Sequence, residues 1–255
     1  MNVVAVMLVK DEADIIEHNL RHLQAEGVDH VVVADNLSTD GTTDILRQFE
    51  ADGFVTYVVD GEVGYYQRRK TQRLVHHANE LGGDWIIPVD ADEFWYSPHG
   101  RLGDVLRASE FEVLWAEGLY HVPHVDDDVE ELNPVVRIRH RRAGRDCPQA
   151  KVCFRFVPLV GVHPGNHGVD HPGPRGVGVV AFREFQYRSF EHFVRKVRNG
   201  KAAYDAAPDL HPMLGHHWRE LGALDAAGLE AEWAKYLATP TVVDAAPFVV
   251  EAARA

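Results

Sequence analysis

The stretch DWIIPVDADEFWY, residues 84–96, places an apolar run directly before three carboxylates. The run from Trp85 to Val89 has the length and the side chains of a fully buried β-strand. Asp90, Asp92 and Glu93 follow at once, so the strand delivers three acidic side chains to one point. Carboxylates held so close repel one another, which raises the pKa of at least one of them. This ending predicts a site that uses negative charge.

The residues before this stretch alternate between strand and helix patterns. Continuous β-branched runs predict strands, and apolar stripes at helical spacing that end near glycine predict helices. The predicted strands are 2–9, 29–35, 54–59 and 84–89, and the predicted helices are 12–26, 42–53 and 65–81. This order is typical of an α/β fold with a mostly parallel central sheet and helices on both faces. Ligands bind such sheets at the carboxyl ends of the strands.

The pattern is weaker after residue 100. It predicts strands at 111–122, 151–160 and 177–188, helices at 102–110 and 189–206, and two further helices near 213–222 and 225–237. An acidic loop at 123–134 and a loop rich in glycine, proline and histidine at 161–176 separate these elements. One domain with C-terminal helices packed on it is the simplest interpretation.

Composition and charge exclude some classes of protein. Of the 255 residues 45% are hydrophobic, which is enough for a sizeable core. The formal net charge of -13 argues against a nucleic-acid binder held by bulk electrostatics. The chain has no run of 18 apolar residues, and its apolar start is too short to span a membrane. We therefore expect no transmembrane segment and a soluble, cytoplasmic protein.

The D-x-D pair at the strand end predicts a cation site. Asp90 and Asp92 offer hard oxygen ligands, which suit Mg²⁺ or Mn²⁺, and these ions also bind the phosphates of a substrate. A solvated acidic turn is the alternative, because D-x-D alone is common. The buried strand before the pair favours the metal site.

A second polar turn, in VVVADNLSTDGT at residues 31–42, follows another buried strand. Carboxylate and amide side chains at Asp35 and Asn36 have the groups that bind the edges of a base or the hydroxyls of a ribose. An Asx-turn with a helix N-cap is the alternative. We favour that alternative for the remaining polar side chains, Ser38, Asp40 and Thr42, and the binding role for Asp35.

Three segments together resemble family 2 glycosyltransferases of the GT-A fold: VKDEADIIEHNLRHLQAEGVD, VVVADNLSTDGTTDIL and DWIIPVDADEF. DADEF in place of a plain D-x-D resembles one branch of the family, as do GNHGV (165–169) and FQYRSFEHFVRKVRNGKAAY (185–204). The resemblance implies a GT-A domain over residues 1–205, with a nucleotide-binding half at 1–97 and an acceptor half at 98–205. Residues 206–255 are expected to form a helical extension packed on the same domain.

The resemblance also implies an activity. The protein would be a metal-dependent enzyme that moves a sugar from a nucleotide-diphosphate sugar to an unknown hydroxyl acceptor, with inversion of configuration as in most of the family. A nucleotidyltransferase on a similar sheet is one alternative. Such an enzyme requires a first loop rich in glycine and arginine to bind a triphosphate, and LVKDEAD has no glycine. The other alternative is a non-catalytic module that binds a nucleotide or a metal.

By position, the resemblance assigns residues to the donor. Nucleotide contacts are expected from Lys10, Asp11, Glu12, Asp35, Asn36, Gln67, Arg69 and Asp90. Asp92 would ligate the Mn²⁺ or Mg²⁺ that bridges the diphosphate. Glu93 would act in catalysis by orienting the acceptor or a metal-bound water.

The loop VGVHPGNHGVDHPG carries three histidines four residues apart, His163, His167 and His171. Its glycines and prolines exclude a helix that would align them. GT-A enzymes often take a further metal ligand from this region, so the resemblance predicts His167 as a ligand and His163 as the next choice. Exposed loop histidines are the alternative.

Two assignments remain, for phosphate and for the catalytic base. A phosphate is predicted to lie against the start of the helix at 189–206 or to be bound by Arg188 or Lys196, with ordinary helix-surface charge as the alternative. The usual ED signature of the family is absent. Asp170 is the predicted base because of its distance along the chain from Asp92, and Glu117 and the acidic residues 126–128 are its rivals.

Overall fold

One large sheet of eight strands lies at the centre of the computed structural model, which describes residues 1–143 and 150–244. Strands are numbered in chain order. In spatial order they are Val55–Val59 (β3), His30–Asp35 (β2), Asn2–Val9 (β1), Gly83–Pro88 (β4), Lys151–Arg155 (β8), Val113–Tyr120 (β6), Arg175–Glu184 (β11) and Glu93–Tyr96 (β5). All run in one direction except β8 and β5, which are antiparallel to their neighbours. The predicted mostly parallel α/β sheet is confirmed.

Helices and short strands complete the described part of the chain. The helices are Ile16–Ala25 (α1), Thr42–Ala51 (α2), Gln67–Glu80 (α3), Leu102–Ala108 (α4), Pro134–Arg137 (α5), Phe190–Asp205 (α6), His216–Ala223 (α7) and Ala226–Leu237 (α8). The short strands are His140–Arg142 (β7), Gly161–Val162 (β9), Val169–Asp170 (β10) and Thr241–Val243 (β12), with a 3₁₀ turn at Pro164–Asn166. Within the described residues, no helix is long and apolar enough to cross a membrane.

The core lies on both faces of the sheet. Successive side chains of a strand point to opposite faces, so an unbroken apolar run fills two layers at once. Trp85 and Ile87 of β4 pack with α1, α2 and α4, whereas Ile86 packs with α3. All three are fully buried, and each such side chain contributes about 1.5–3 kcal/mol. Helices on both faces, as the alternation predicts, are confirmed.

The acidic turn after β4 is held by its own backbone. The N–H of Glu93 donates to the carbonyl of Asp90 at 3.0 Å, and β5 begins at Glu93. β5 crosses to the far edge of the sheet and pairs with β11, which places Glu93 opposite Glu184. The sequence does not predict β5 as a separate strand, because four residues are too few to show a period. This pairing brings β11 to the acidic turn.

The second half of the chain departs from the prediction at several elements. The predicted strand 177–188 is observed as β11 at Arg175–Glu184, and α5, β7 and β12 are not predicted. The predicted strand 151–160 ends at Arg155, and Pro158 lies in the turn that follows, where the N–H of Val160 donates to the carbonyl of Val157 at 3.0 Å. The loop predicted at 161–176 contains β9, β10 and the 3₁₀ turn, and Gly165 takes the left-handed conformation there with a φ of 71°.

The C-terminal helices pack on α6 through aromatic side chains. The cluster consists of the buried Tyr187, Phe193, Val197 and Leu229 and the partly buried Phe190, Val194, Trp218, Leu221, Leu224, Trp233 and Tyr236. β12 then pairs with β7, so the chain returns to the main body. Of the helical extension predicted at 206–255, residues 245–255 lie outside the described part of the chain.

Candidate active site

A cavity of about 240 Å³ opens where β1, β2 and β4 end. This is the sheet edge at which α/β folds bind ligands. The predicted residues that line it are Lys10, Asp11, Glu12, Asn36, Gln67, Asp90, Asp92 and Lys196. We call this space the donor cavity. The structure therefore brings together eight side chains that are up to 186 positions apart in sequence.

Asp92 and Lys196 form the ion pair at the floor of the donor cavity. Asp92 is 5% exposed, and its Oδ2 accepts a hydrogen bond from Lys196 Nζ at 2.5 Å. The same ammonium donates to Glu12 Oε1 at 3.1 Å. Burial lowers the pKa of Lys196, but Asp92 and Glu12 reverse this and raise it above its usual range. Lys196 therefore stays charged and faces the cavity.

Lys151 holds the other half of the acidic turn. Its Nζ lies 2.8 Å from Asp90 Oδ2 and 2.9 Å from Glu93 Oε1. Glu93 is 1% exposed and also accepts from Trp95 Nε1 at 3.2 Å. Burial, together with the charge of Asp90, raises the pKa of Glu93 to about 7 despite Lys151. Glu93 does not line the cavity, so this geometry places it behind Asp90 as a support.

Glu184 is the residue that sequence reasoning missed. It lines the donor cavity at the end of β11, next to the acidic turn. Burial and the charges of Asp92 and Glu93 raise the pKa of Glu184 well above its usual range. In the sequence it is one acidic residue inside FREFQYR, and only the pairing of β11 with β5 shows that it faces the site.

Arg188 is buried under the donor cavity and does not line it. Its guanidinium donates to both carboxylate oxygens of Asp14 at 2.7 Å and to Glu12. Burial raises the pKa of Glu12, but Arg188 and Lys196 hold it well below its usual range. The predicted phosphate contact of Arg188 has a structural reason against it, because carboxylates already occupy the guanidinium. Arg188 thus joins the loop after β1, residues 10–15, to the start of α6. We call this loop the first loop.

This buried network predicts a large stability effect. Arg188→Met leaves Glu12 and Asp14 without their guanidinium, and breaking a buried ion pair costs about 3–5 kcal/mol. The expected fall in melting temperature is roughly 10 °C, measured by thermal unfolding at pH 7. Arg21→Met is the control, because it removes an exposed i,i+4 pair with Glu17, which contributes about 0.3–0.5 kcal/mol. Equal shifts for the two variants would contradict the role given to Arg188.

Asp35 is placed beside the donor cavity but does not line it. It is 1% exposed, and its oxygens accept hydrogen bonds from the N–H of Ser38 and the hydroxyls of Thr43 and Tyr57 at 2.6–3.2 Å. These hydrogen bonds to the carboxylate of Asp35 fix the conformation of the turn after β2. Asn36, the next residue, lines the cavity and binds the carbonyl of Glu62 at 2.8 Å.

The first loop is ordered around the neighbouring turn. Lys10 Nζ donates to the carbonyls of Asn36 and Leu37 at 2.8 and 3.1 Å. Asp11 has a φ of 54°, a conformation that few residues other than glycine adopt, and its carboxylate accepts from the N–H of Thr39 at 2.7 Å. Asn199 of α6 donates to the same carboxylate at 2.8 Å. Contacts outside the loop therefore hold the strained backbone in place.

The start of α3 contributes one predicted residue to the donor cavity and leaves the other outside. Gln67 lines the cavity and accepts a hydrogen bond from the N–H of Gly165 at 2.8 Å, which ties α3 to the 3₁₀ turn. Arg69 is exposed, pairs with Glu62 and lies 4.2 Å from the centre of the Tyr66 ring. The chain thus directs Arg69 to the surface.

The histidine loop splits between two places. His167 is half-buried, with Nδ1 3.3 Å from the carbonyl of Ala150, and burial and the charge of Lys151 lower its pKa. Asp90 acts on the same ring, so His167 lies near the acidic turn but outside the cavity lining. His163 pairs instead with Asp170 at 2.9 Å on the exposed surface. The structure does not bring Asp170 to the donor cavity.

Aromatic side chains form one wall of the donor cavity. Tyr65, Tyr66, Tyr204 and Trp218 line it, and the rings of Tyr65 and Tyr204 lie 4.5 Å apart between centroids. Trp218 comes from α7, so the C-terminal extension contributes to the site. This contribution is not predicted from the sequence, because residues 206–255 match no known pattern.

The side chains around the acidic turn are of the kind that bind a divalent cation. Among the described residues, five shielded carboxylates (Glu12, Asp90, Asp92, Glu93 and Glu184) face three cationic side chains, Lys151, Arg188 and Lys196. The raised pKa values of Glu93 and Glu184 indicate that this cluster holds more carboxylates than its cationic side chains offset. Asp90 and Asp92 offer only oxygen atoms to the cavity, and oxygen donors select Mg²⁺ or Mn²⁺ over softer metals.

Residues 4–113 match the model of the family described as glycosyl transferase family 2, and no curated protein matches the chain. Among the solved structures that are similar to this chain is S. aureus TarS 1-349 in complex with UDP. It is 14% identical with a TM-score of 0.46, and the match covers 93% of this chain and 71% of that chain. The structure of 4-diphosphocytidyl-2C-methyl-D-erythritol synthase is 19% identical with a TM-score of 0.36, covering 61% and 75%. The matched segment carries the first loop and the D-x-D turn, and over these residues the chain is similar to glycosyl transferase family 2.

Proposed function

We propose that the protein transfers a sugar from a nucleoside-diphosphate sugar to a hydroxyl acceptor, with the donor bound in the donor cavity. The observation that supports this is the meeting of Asp90 and Asp92 with Lys10 and Asn36 around one space at the sheet edge. These residues come from three separate strand ends inside the family segment. They supply both the carboxylates for a cation and the polar groups for a nucleotide.

The donor diphosphate needs positive charge around it. Asp92, with Asp90 beside it, would hold Mn²⁺ or Mg²⁺, and the bound ion would neutralise the charge that develops on the leaving diphosphate. Lys196 lies 2.5 Å from Asp92 and faces the same cavity, so its ammonium is in place to contact the phosphate oxygens. The predicted phosphate role thus stays with Lys196 and not with Arg188.

Glu184 is the carboxylate that we assign as the general base for an inverting transfer. A base must reach the acceptor hydroxyl, and Glu184 lines the donor cavity whereas Asp170 pairs with His163 on the surface. Burial and its acidic neighbours raise the pKa of Glu184, and a raised pKa strengthens a carboxylate as a base. Glu93 supports the turn through Lys151 and does not touch the acceptor in this proposal.

The aromatic wall suits the flat parts of the substrates. Tyr65, Tyr66, Tyr204 and Trp218 offer ring faces on which a nucleoside base or a sugar ring can pack. Because Trp218 belongs to α7, we infer that the C-terminal helices contribute to substrate binding as well as to packing.

A thermal-shift screen of UDP, GDP, CDP and ADP, with and without Mn²⁺, tests the proposal. A ligand that binds only the folded state at 100 times its Kd adds about 2.7 kcal/mol, which is roughly 5–10 °C for a chain of this size. We expect one diphosphate to give the largest shift and Mn²⁺ to increase it. If none of the four raises the melting temperature, with or without Mn²⁺, the donor proposal is wrong.

A further inference from the structure

Two histidines and an aspartate meet on the acidic loop that precedes α5. One ring nitrogen each of His124 and His140 and one carboxylate oxygen of Asp126 all lie within 4.8 Å of one another. The two imidazole rings stack with centroids 3.9 Å apart, and Asp126 Oδ2 lies 3.3 Å from His124 Nδ1. His140 starts β7, whereas the other two side chains come from the loop. We call these three side chains the loop cluster.

One ring nitrogen of His140 in the loop cluster has no hydrogen-bond partner. Its Nδ1 is buried and makes no hydrogen bond, and the carboxylate oxygen of Asp127 lies 3.8 Å away. A buried polar atom without a partner destabilises the folded state, and a bound ligand would remove that penalty. The unpaired nitrogen is therefore an observation in favour of a ligand that is independent of the acidity of the loop.

The loop cluster adjoins a second cavity, of about 480 Å³, that is separate from the donor cavity. Asp126, Asp127 and His140 line it, and no lining residue is shared with the donor cavity. Arg137 also lines it, but its guanidinium donates to the carbonyls of Glu131 and Arg188 at 3.1 and 2.9 Å. Space is therefore available for a water molecule to complete the coordination of an ion.

We propose that His124, Asp126 and His140 bind a zinc-type transition-metal ion, with water in the fourth position. Two imidazole nitrogens and one carboxylate oxygen form a set that selects Zn²⁺ over Mg²⁺ or Mn²⁺. The ion would join the acidic loop to β7, and through β7 to β12 near the end of the described chain. This site is distinct from the oxygen-only cation site of the donor cavity.

A second group of side chains has atoms that could ligate a metal, but a neighbouring cation excludes the metal there. Glu12, Asp14 and His192 also lie within ligand distance of one another. Arg188, however, donates to all three side chains, so a guanidinium already occupies the centre of that group. Among the described residues, no cationic side chain pairs with the loop cluster in the same way.

Cobalt and zinc titrations test the loop cluster without any measurement of transfer. The parent protein is Asp92→Asn, which lacks the proposed cation site of the donor cavity. We expect it to bind one Co²⁺ per chain with the visible absorption of a nitrogen-ligated ion of low coordination number, and Zn²⁺ to displace the Co²⁺. His124→Gln and His140→Gln in this parent should each weaken Zn²⁺ binding on the order of 100-fold by calorimetry. His76→Gln, an exposed histidine elsewhere, should bind Zn²⁺ like the parent.

Two results would overturn the proposal: a parent protein that binds no Co²⁺ or Zn²⁺, or histidine variants that bind Zn²⁺ as tightly as the parent. Circular dichroism and thermal unfolding in EDTA establish that each variant is folded. His124 is partly exposed, so if His140→Gln does not fold, His124→Gln alone decides the outcome. A failure here leaves the donor proposal standing, because that proposal is tested by nucleotides on the unmodified protein.

Discussion

Asp92→Asn is expected to lower transfer from a nucleoside-diphosphate sugar by about 100-fold or more and to remove the effect of Mn²⁺ on nucleotide affinity. Asparagine keeps the shape of the side chain but offers the cation one neutral oxygen in place of a carboxylate. Losing charge stabilisation at a leaving group typically costs 10²–10³ in turnover. The measurements are initial rates and nucleoside-diphosphate affinity by calorimetry, each with Mn²⁺ and with EDTA.

The fold should survive this change. Lys196 loses one carboxylate but keeps its hydrogen bond to Glu12 at 3.1 Å, so no buried cation is left alone. Asp44→Asn, an exposed aspartate on α2, is the matched control and should behave like the unmodified protein in every assay. Nucleotide affinity that still rises with Mn²⁺ in Asp92→Asn would remove Asp92 from the cation site.

Glu184→Gln is expected to act in opposite directions on stability and on turnover. The change removes a carboxylate that sits among Asp92 and Glu93, so the melting temperature without ligand should rise. Turnover should fall by about 10²–10⁴, the usual contribution of a general base. Nucleoside-diphosphate affinity should stay within a few-fold of the original, since glutamine does not remove the Asp92 ligand.

The stability gain should depend on pH with a defined sign. The raised pKa means that folded Glu184 keeps its proton at pH values where the unfolded chain has lost it. At Glu184 the folded state then binds more protons, so the contribution of this residue to the free energy of unfolding falls as pH rises above about 4.5. Glu184→Gln lacks this fall, and the difference in melting temperature between the two proteins should widen with increasing pH until the raised pKa is passed.

Two comparisons make the base assignment decisive. Glu80→Gln, an exposed glutamate at the end of α3, should change neither stability nor turnover. Asp170→Asn tests the base that the sequence predicts, and it should leave turnover nearly unchanged because Asp170 pairs with His163 on the surface. If Asp170→Asn abolishes transfer and Glu184→Gln does not, the base is Asp170 and our assignment fails.

Asp35 and Asn36 show which part of the site can be predicted from the sequence and which part cannot. Asp35 and Asn36 end the same strand, and both look suited to bind a nucleotide. In the structure Asn36 lines the donor cavity, whereas Asp35 is used by hydrogen bonds from Ser38, Thr43 and Tyr57. The hydroxyl of Tyr57 comes from a different strand, and the sequence does not reveal which donors will reach a carboxylate.

The basic residues show the same limit. From the sequence, Arg188 and Lys196 receive the same prediction, because both are basic residues in or next to the segment of one helix. The structure buries Arg188 between Glu12 and Asp14 and points Lys196 into the donor cavity. Lys151, which no motif singles out, holds Asp90 and Glu93 across 61 and 58 positions of the chain. Each of these pairings depends on strands and helices that are distant in sequence.

The sequence by itself determined the alternation of strands and helices, the sheet edge at which the acidic turn lies, and the resemblance to family 2 glycosyltransferases. These features follow from local periods and contiguous motifs, and a strand places its last residues at the sheet edge whatever it pairs with. Only the tertiary structure decided which charges meet: Glu184 with Asp92, Lys196 with Asp92, and Arg188 with Glu12. Electrostatic interactions depend on distance and burial in space, and neither can be read from the order of residues along the chain.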